Sequence, residues 1–228
     1  MSDKRMKALT RFFQLYAKKI ILQMIGFALV AWGTLLFLYS DLGLNSWGLF
    51  HQGLSLQTPL TFGQAAQAFG SLLIIITLFF RVIPGLGTIL NMFFIGRFID
   101  LFDSFAILYT PNSMILKLLM LFLGIVVMAY GMFFYLKENL GAGPKDGVMI
   151  LLHRITNLDI GIVRTAMEVS AVIAGYLLGG DFGIGTIISA FTIGPALSII
   201  CKLHKYKPKE TYQENVIDTF KRIAAADE

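Results

Sequence analysis

Two polar, glycine-containing segments interrupt the long apolar runs of this chain, and they resemble each other at a fixed offset of 98 residues. The first covers Asp41–Gly63 and the second covers Asn139–Gly161. Identical residues align without a gap, among them Gly43 and Gly141, Leu54 and Leu152, Thr58 and Thr156, Leu60 and Leu158, and Gly63 and Gly161. Short polar breaks of this kind divide membrane helices at the binding sites of many transporters. The repeated segments are therefore the first candidates for a functional site.

The composition indicates the class of protein. Hydrophobic residues make up 56% of the chain, charged residues 14%, and the mean hydropathy is +0.72, which together predict an integral membrane protein. We expect the net charge of +5 to reflect membrane topology rather than nucleic-acid binding. The single Cys201 excludes an intramolecular disulfide, and His51, His153 and His204 have no metal-ligand spacing. We expect no metal and no cofactor.

Six apolar runs are each long enough to cross a bilayer of about 30 Å, which takes about 20 helical residues. They cover roughly 18–39, 62–81, 86–105, 113–136, 160–179 and 184–203. Two shorter pieces, at about 46–56 and 144–155, are half the length of a crossing and are predicted to be half-helices. The predicted organisation is a basic cytosolic segment (1–17), two transmembrane halves (18–105 and 113–203) and a cytosolic tail (204–228).

The distribution of basic residues predicts the orientation in the membrane. Lysine and arginine residues cluster before the first predicted crossing and after the last, whereas the loops 41–61, 106–112 and 180–183 contain none. By the positive-inside rule, both termini are expected in the cytoplasm. We expect a multi-pass protein of the bacterial cytoplasmic membrane that contacts the lipid bilayer.

The match between the two halves extends beyond the polar segments. With the same offset, identical residues precede and follow them: Gly26 and Gly124, Gly33 and Gly131, Gly85 and Gly183, Gly87 and Gly185, and Thr88 and Thr186. Each half contains three predicted crossings, an odd number, so the second half must enter the membrane from the opposite face. The predicted fold is all-α, with six transmembrane helices in two inverted three-helix repeats, each with a re-entrant segment or half-helix.

Several stretches resemble a known family. The segments LGLNSWGLFHQGLS, PGLGTILNMFFIGRFID, LGAGPKDGVM, and VRTAMEVS to FGIGTIISAFTIG are similar to the YczE/YyaS/YitT family of bacterial multi-spanning membrane proteins, particularly its YczE-like branch. The resemblance covers most of residues 20 to 200 and implies fold and location rather than an activity. In that branch the polar segments typically read G-x-G-P-W-D and G-x-G-P-R-D-G. Here Ser46 and Gly48 replace the first Pro and Asp, whereas Pro144, Asp146 and Gly147 are present.

The polar segments supply the candidate substrate-binding residues. Glycines and Pro144 permit a tight reversal followed by a helix start, and a helix that begins inside a bilayer presents free N–H groups and a positive dipole end. The candidates for solute contact are Asn45, Ser46, Trp47, His51, Gln52, Pro144, Lys145 and Asp146. An interfacial loop with a surface helix is the alternative, in which Ser46 and Asp146 only cap helices. His51 suits either proton coupling or a structural hydrogen bond.

Charged residues within predicted crossings are candidates for coupling or gating, because charges in a membrane are costly and often face interior cavities. Arg164 and Glu168 are four residues apart on one helical face, and Arg97 and Asp100 are three apart. The alternatives are mutually neutralised pairs and, for Arg164, a side chain that extends to the water interface.

The leading hypothesis is a secondary transporter for a small polar solute, with alternating access between the inverted repeats; an anionic solute and proton coupling are both left open. The alternative is a membrane accessory or scaffold protein that stabilises another complex. The sequence contains no Walker A, G-x-S-x-G or H-E-x-x-H motif, so we expect no enzyme activity. A homodimer is left open, and no nucleic-acid partner is expected.

Overall fold

The computed structural model describes residues 3–207 and 211–224, with side chains from Phe12 onward. Residues 1–2, 208–210 and 225–228, which belong to the predicted N-terminal segment and tail, lie outside the described residues. All regular secondary structure in the described chain is helical, and the described residues contain no strand. Its helices are α1 (Asp3–Ser40), α2 (Ser46–Gln57), α3 (Phe62–Phe79), α4 (Leu86–Ser104), α5 (Met114–Leu136), α6 (Pro144–Thr156), α7 (Ile160–Leu177), α8 (Ile184–Leu203) and α9 (Val216–Ala224).

The all-α membrane class predicted from composition is confirmed. Five helices of the described chain are long and apolar enough to cross a bilayer: the Phe12–Ser40 part of α1, and α3, α5, α7 and α8. Large apolar side chains such as Ile115 and Phe191 are exposed on their outer faces, as expected of a surface covered by lipid. The 19-residue α4 is long enough but carries Arg97, Asp100 and Asp103, so six crossings stay a prediction.

Helix α1 extends well beyond the crossing predicted at 18–39. It begins at Asp3, because no glycine or proline interrupts the chain between Asp3 and Gly26. The basic N-terminal segment is therefore a continuation of the first apolar helix rather than a separate element.

Two short helices, α2 and α6, occupy the repeated polar segments, and we refer to them as the half-helices. Gly43 and Gly141 have φ angles of 101° and 108°, a region that favours glycine, and each turns the chain just before a helix start. The side chain of Asn45 accepts a hydrogen bond from the N–H of Gly48 at 2.9 Å and so caps α2. At α6, Pro144 occupies the first turn, and Asp146 accepts from the N–H of Gly143 at 2.9 Å.

Helices α1 and α5 form the centre of the molecule and cross closely at two pairs of glycines. A Cβ added to Gly26 would lie 2.8 Å from the carbonyl oxygen of Gly131, and one added to Gly131 would lie 2.7 Å from that of Gly26. Gly33 and Gly124 approach each other in the same way, at 3.1 and 3.2 Å. Small residues therefore let these two backbones pack directly against each other, as in many membrane helix pairs.

The turns before the half-helices bind the helix starts of the opposite half. The N–H of Gly185 donates to the carbonyl of Leu42, and the N–H of Gly87 donates to the carbonyl of Leu140, both at 2.6 Å. These two bonds are equivalent under the 98-residue offset with the halves exchanged. The repeated Gly-x-Gly-Thr sequences thus receive a structural explanation, since the turns approach Gly85, Gly183 and Gly185 too closely for a side chain, and the side chain of Gln23 does the same at Gly87.

A departure from this reciprocity occurs between the last two long helices of each half. In the first half, a Cβ at Gly63 would overlap the carbonyl oxygen of Gly96, so α3 and α4 are in backbone contact. In the second half, a Cβ added to Gly194, the equivalent of Gly96, would have no atom within 4 Å, and one added to Gly161, the equivalent of Gly63, would meet only its neighbour Asp159. The α3–α4 contact is therefore closed and the α7–α8 contact is open.

Candidate functional site

The two half-helices begin at one shared cavity of about 150 Å³. Asn45, Trp47 and Gly48 line it from the start of α2, and Gly143, Pro144 and Lys145 line it from the start of α6. Residues of α1, α3, α4 and α5 form the remaining walls. The N-terminal ends of both half-helices, where the helix dipole is positive, therefore face the same space.

Two buried polar side chains line this cavity without a hydrogen-bond partner among the described residues. Asn91 on α4 is 9% exposed and Tyr135 on α5 is 5% exposed, and neither the amide of Asn91 nor the hydroxyl of Tyr135 bonds to the described part of the protein. These groups are therefore available to a molecule in the cavity.

Trp47 connects the two halves at the edge of the cavity. Its indole N–H donates a hydrogen bond to the carboxylate of Glu168 on α7 at 3.0 Å. The ammonium group of Lys145 lies 5.5 Å from the centre of the Trp47 ring, in cation–π geometry. Trp47 and Lys145 are equivalent under the 98-residue offset, so the cavity lies where the two halves meet.

His51 lies one turn after Trp47 and lines the same cavity. Its ring is 6.2 Å from that of Phe69, 6.3 Å from that of Phe62 and 6.5 Å from that of Trp47, measured between ring centres. Its ring nitrogens form no hydrogen bond within the described part of the chain. The structural hydrogen bond that is the alternative to proton coupling is therefore not formed by His51 among the described residues.

A second cavity of about 500 Å³ adjoins the first. Trp47, Phe69 and Leu73 line both, so these three side chains form the wall between them. The other lining residues come mainly from α6 and α7 and are largely apolar, including Val148, Leu152, Ile162 and Met167. The first, smaller cavity thus has polar lining residues, and the shared wall separates it from a larger apolar cavity.

The structure brings together only part of the predicted substrate-binding set. Asn45, Trp47, His51, Pro144 and Lys145 line the central cavity, whereas Ser46, Gln52 and Asp146 do not. Ser46 is buried, and Asp146 caps α6 through Gly143. Gln52 instead holds the loop before α8: its amide donates to the carboxylate of Asp181 at 2.5 Å and accepts from the N–H of Asp181 at 2.7 Å.

Two of the four predicted coupling and gating residues, Asp100 and Glu168, bind partners other than those the spacing indicates. Asp100 accepts hydrogen bonds from the hydroxyl of Thr61 at 2.5 Å and from the N–H of Gly63 at 2.8 Å, both at the start of α3. Arg97 and Arg164 are exposed, and among the described residues neither forms an ion pair with Asp100 or Glu168. Asp100 therefore lies at the closed α3–α4 contact.

Asn91 and Tyr135 line the cavity although neither belongs to the predicted substrate-binding set. From the sequence, a polar residue such as Asn91 in an apolar run is more typical of a hydrogen bond between helices than of a solute contact, and Tyr135 lies in an ordinary apolar run. Both reach the cavity only because α4 and α5 pack beside the half-helices. No group of three or more His, Cys, Asp or Glu residues in the described chain could hold a metal ion.

Comparison with known proteins gives the family. Residues 17–202 match a family of unknown function, DUF6198. The chain is 36% identical to the uncharacterised membrane protein YczE of Bacillus subtilis over 171 residues, which are 74% of this chain and 79% of YczE. It is 28% identical to an uncharacterised protein of Haemophilus influenzae over 197 residues, 86% of this chain and 89% of that protein.

YyaS of Bacillus subtilis, also described as uncharacterised, is 26% identical over 178 residues, which cover 77% of this chain and 88% of YyaS. No solved structure matches the chain significantly. The similarity to YczE and YyaS confirms the resemblance drawn from the repeated polar segments and the flanking runs. The chain is an all-α membrane protein that belongs to the DUF6198 family.

Proposed function

We propose that this protein is a secondary transporter of the bacterial cytoplasmic membrane, with both termini in the cytoplasm, that moves a small organic solute and performs no chemical reaction. The observation that carries the proposal is the shared cavity at the starts of α2 and α6. Half-helices whose N-terminal ends meet near the middle of a membrane are a recurring design of transporter binding sites.

The proposal includes six crossings in two inverted repeats. Its support is the set of equivalent contacts in which each half binds the other: Leu42 with Gly185, Leu140 with Gly87, and the glycine crossings of α1 and α5. Helix α4 then counts as a crossing despite its charges. Asp100 is hydrogen-bonded to Thr61 and Gly63, which lowers the cost of that carboxylate in the membrane.

Alternating access requires two gates, of which one is closed while the other is open, and the asymmetry of the two halves fits this requirement. The α3–α4 contact at Gly63 and Gly96 is the proposed gate on the side of the first half-helix, and it is closed. The equivalent α7–α8 contact at Gly161 and Gly194 is the proposed gate on the other side, and it is open. With cytoplasmic termini, this arrangement is an inward-open state.

The closed and the open contact also differ in how the helix starts are satisfied. In the first half, the N–H of Gly63 donates across to Asp100 of α4. In the second half, the equivalent N–H of Gly161 donates to Asp159 in its own turn at 2.7 Å, and α8 carries Ser198 at the position of Asp100. The sequence therefore supports a stronger closure on one side than on the other.

The test is the accessibility of a single cysteine in the central cavity. Ala66 lines the cavity from α3, and the native Cys201 is buried and can be replaced by alanine. In a Cys201→Ala background, Ala66→Cys is expected to react with a membrane-impermeant thiol reagent added to either face of oriented proteoliposomes. Asn112→Cys, in an exposed loop, serves as the orientation control and is expected to react from one face only.

Reaction of Ala66→Cys from one face only, under conditions in which Asn112→Cys reports a sealed and oriented preparation, would contradict alternating access. That result, together with reproducible co-purification of one partner protein, would instead favour the accessory or scaffold function. Uptake of labelled solutes under an imposed proton or sodium gradient then identifies the coupling ion.

A further inference from the structure

The chemistry of the two adjoining cavities, taken with the proposed transport function on which this step rests, points to a substrate class. We propose that the substrate is an amphiphilic monocarboxylate, whose carboxylate binds in the central cavity and whose apolar tail extends past Trp47 into the second cavity. This narrows the small polar solute expected from the sequence to an organic acid with a substantial apolar part.

The polar groups of the central cavity are suited to an anion. The ammonium group of Lys145 contacts the Trp47 ring and forms no ion pair with a described residue. The amide of Asn91 and the hydroxyl of Tyr135 are buried hydrogen-bond donors without partners in the described structure, and the two half-helix starts add positive dipole ends. No described carboxylate lines the cavity. Asp146, next to Lys145 in the chain, interacts electrostatically with it and accepts from the N–H of Gly143, and Glu168 accepts from Trp47.

The number of charges favours a monoanion. Lys145 is the cationic side chain that lines the central cavity in the described structure, and His51 is packed between aromatic rings. The carboxylate of Asp146 also interacts with Lys145, so the cavity offers no more than one positive side-chain charge to a ligand. A phosphate dianion would leave one negative charge uncompensated in a nonaqueous site, where an unpaired charge is very costly. A carboxylate matches the single ammonium group and accepts several hydrogen bonds at once.

The remaining walls are suited to an apolar body. Trp47, Phe62 and Phe69 supply aromatic surface to the central cavity, and Met128 and Met132 supply adaptable sulfur-containing chains. A solute that carried many hydroxyl groups would leave them without partners against these walls, which is unfavourable. An aromatic ring or an alkyl chain fills the same space and gains from its removal from water.

The volumes set the expected length of the tail. A cavity of about 150 Å³ holds a group of the size of benzene. The second cavity, of about 500 Å³, lies within the range of about 300–1,000 Å³ that is usual for small-molecule sites. A longer alkyl tail must therefore pass the wall formed by Trp47, Phe69 and Leu73, and each further methylene gains contacts with residues such as Leu152.

The experiment measures how two matched series of compounds displace bound radiolabelled octanoate from the full chain in lipid nanodiscs. One series comprises straight-chain acids from butyrate to dodecanoate, and the other comprises the corresponding primary alcohols, with binding to protein-free nanodiscs subtracted. We expect affinity to rise about fourfold per methylene, which is equivalent to about 0.8 kcal/mol, up to a plateau. We expect acids to bind at least tenfold more tightly than the matched alcohols.

Three variants assign the two ends of the ligand. Lys145→Gln is expected to abolish the preference for acids over alcohols and to retain the dependence on chain length. Leu152→Trp, which fills the second cavity, is expected to shorten the chain length at which affinity reaches its plateau. Ala166→Leu, at another residue that lines the second cavity, is the second variant if Leu152→Trp does not fold. Lys137→Gln, whose ammonium group lies over Phe133 away from the cavity, is the matched control and is expected to bind like the wild type.

The substrate class is overturned if acids and alcohols compete equally, or if affinity does not depend on chain length. Its failure is separable from failure of the transport proposal. Two-sided reaction of Ala66→Cys without selective acid binding would leave transport standing and remove the amphiphilic acid. Selective acid binding with one-sided reaction would support the binding site and remove the transport function.

Discussion

The indole N–H of Trp47 and the carboxylate of Glu168 form a 3.0 Å hydrogen bond between the two halves of the chain. Trp47 lies in the first turn of the half-helix of the first half, and Glu168 lies on α7 of the second. The same indole separates the two cavities and lies beneath the ammonium group of Lys145. A change in the charge of Glu168 would therefore be felt directly by the wall of the proposed binding site.

Glu168 is the predicted coupling residue that contacts the wall of the proposed binding site. We expect Glu168→Gln to remove the pH dependence of gradient-driven uptake and to leave exchange of labelled for unlabelled substrate within a fewfold of the wild type, because the glutamine oxygen can still accept from Trp47. Uptake and exchange measured in proteoliposomes over a range of pH from mildly acidic to mildly alkaline provide the check. Unaltered transport with unaltered pH dependence would remove Glu168 from the coupling mechanism.

Trp47→Phe tests the hydrogen bond separately from the charge. This substitution keeps an aromatic wall but leaves the carboxylate without its indole donor, and a hydrogen bond to a charged group contributes about 1.5–3 kcal/mol. We expect substrate affinity to fall by about tenfold or more, with a smaller loss in Glu168→Gln. Equal affinity in wild type and Trp47→Phe would show that this contact does not organise the site.

Gly96 and Gly194 provide a matched pair for the two proposed gates. Gly96→Ala places a methyl group against the backbone of Gly63 in the closed contact, and overpacking of this kind costs about 1–3 kcal/mol. Gly194→Ala meets no atom within 4 Å in this state. We therefore expect Gly96→Ala to lower thermal stability and Gly194→Ala to leave it close to that of the wild type.

Gly194→Ala is expected to impair transport rather than stability. If the α7–α8 contact must close during transport, the added methyl group will obstruct that closure. We expect normal substrate binding and a strong loss of transport, measured by uptake. We also expect Ala66→Cys to react more slowly from the face of the first half-helix, where the gate is closed in this state. Full transport by Gly194→Ala would contradict the proposal that this contact closes as its counterpart does.

Asp100 accounts for the tighter closure of the first gate, and Asp100→Ser replaces it with the residue that the second half carries at the equivalent position, Ser198. The substitution removes the charged acceptor for Thr61 and Gly63. Loss of charge-assisted bonds worth about 1.5–3 kcal/mol is expected to speed the reaction of Ala66→Cys from the face of the first half-helix by about tenfold or more.

Asp103→Ser is the control for Asp100→Ser. Asp103 lies one turn later on α4 and accepts a hydrogen bond from the hydroxyl of Tyr39 on α1, so its loss does not touch the α3–α4 contact. We expect its effect on the reaction of Ala66→Cys to be small. An equal acceleration in the two variants would mean that the charge of α4, rather than its bonds to the start of α3, sets the closure.

The sequence predicts the elements of this protein well because their determinants are local. The half-helices start at Ser46 and Pro144 because Gly43 and Gly141 supply positive φ angles, and Asn45 and Asp146 supply caps. Helix α1 begins earlier than its predicted crossing, since hydropathy marks only where a helix becomes apolar and not where it starts.

The composition of the cavity could be predicted only in part, because it depends on contacts between distant helices. Asn91 and Tyr135 reach the site through the packing of α4 and α5, which no local pattern encodes. The spacing of Arg164 and Glu168 puts them one turn apart, but a nearby indole binds the carboxylate instead. Gln52, close to Trp47 in sequence, turns away because Asp181 offers both a donor and an acceptor.

The C-terminal segment gives a prediction that does not depend on transport. Glu214 is 8% exposed, accepts from the hydroxyl of Tyr16 at 3.1 Å and forms an ion pair with Arg222. Its backbone N–H donates to the carbonyl of Asn139 at 2.8 Å, so it joins the tail to α1 and to the turn before α6.

Glu214→Ala leaves Arg222 without this partner and removes the acceptor of Tyr16. We expect a loss of about 1.5–3 kcal/mol of tail docking, because both bonds involve a charged group. Faster hydrogen exchange in α9 and in the turn around Asn139 provides the measurement, with Phe220→Ala, 67% exposed on the same helix, as the control. Unchanged exchange around Asn139 in Glu214→Ala would show that the backbone bond alone holds the tail to the membrane domain.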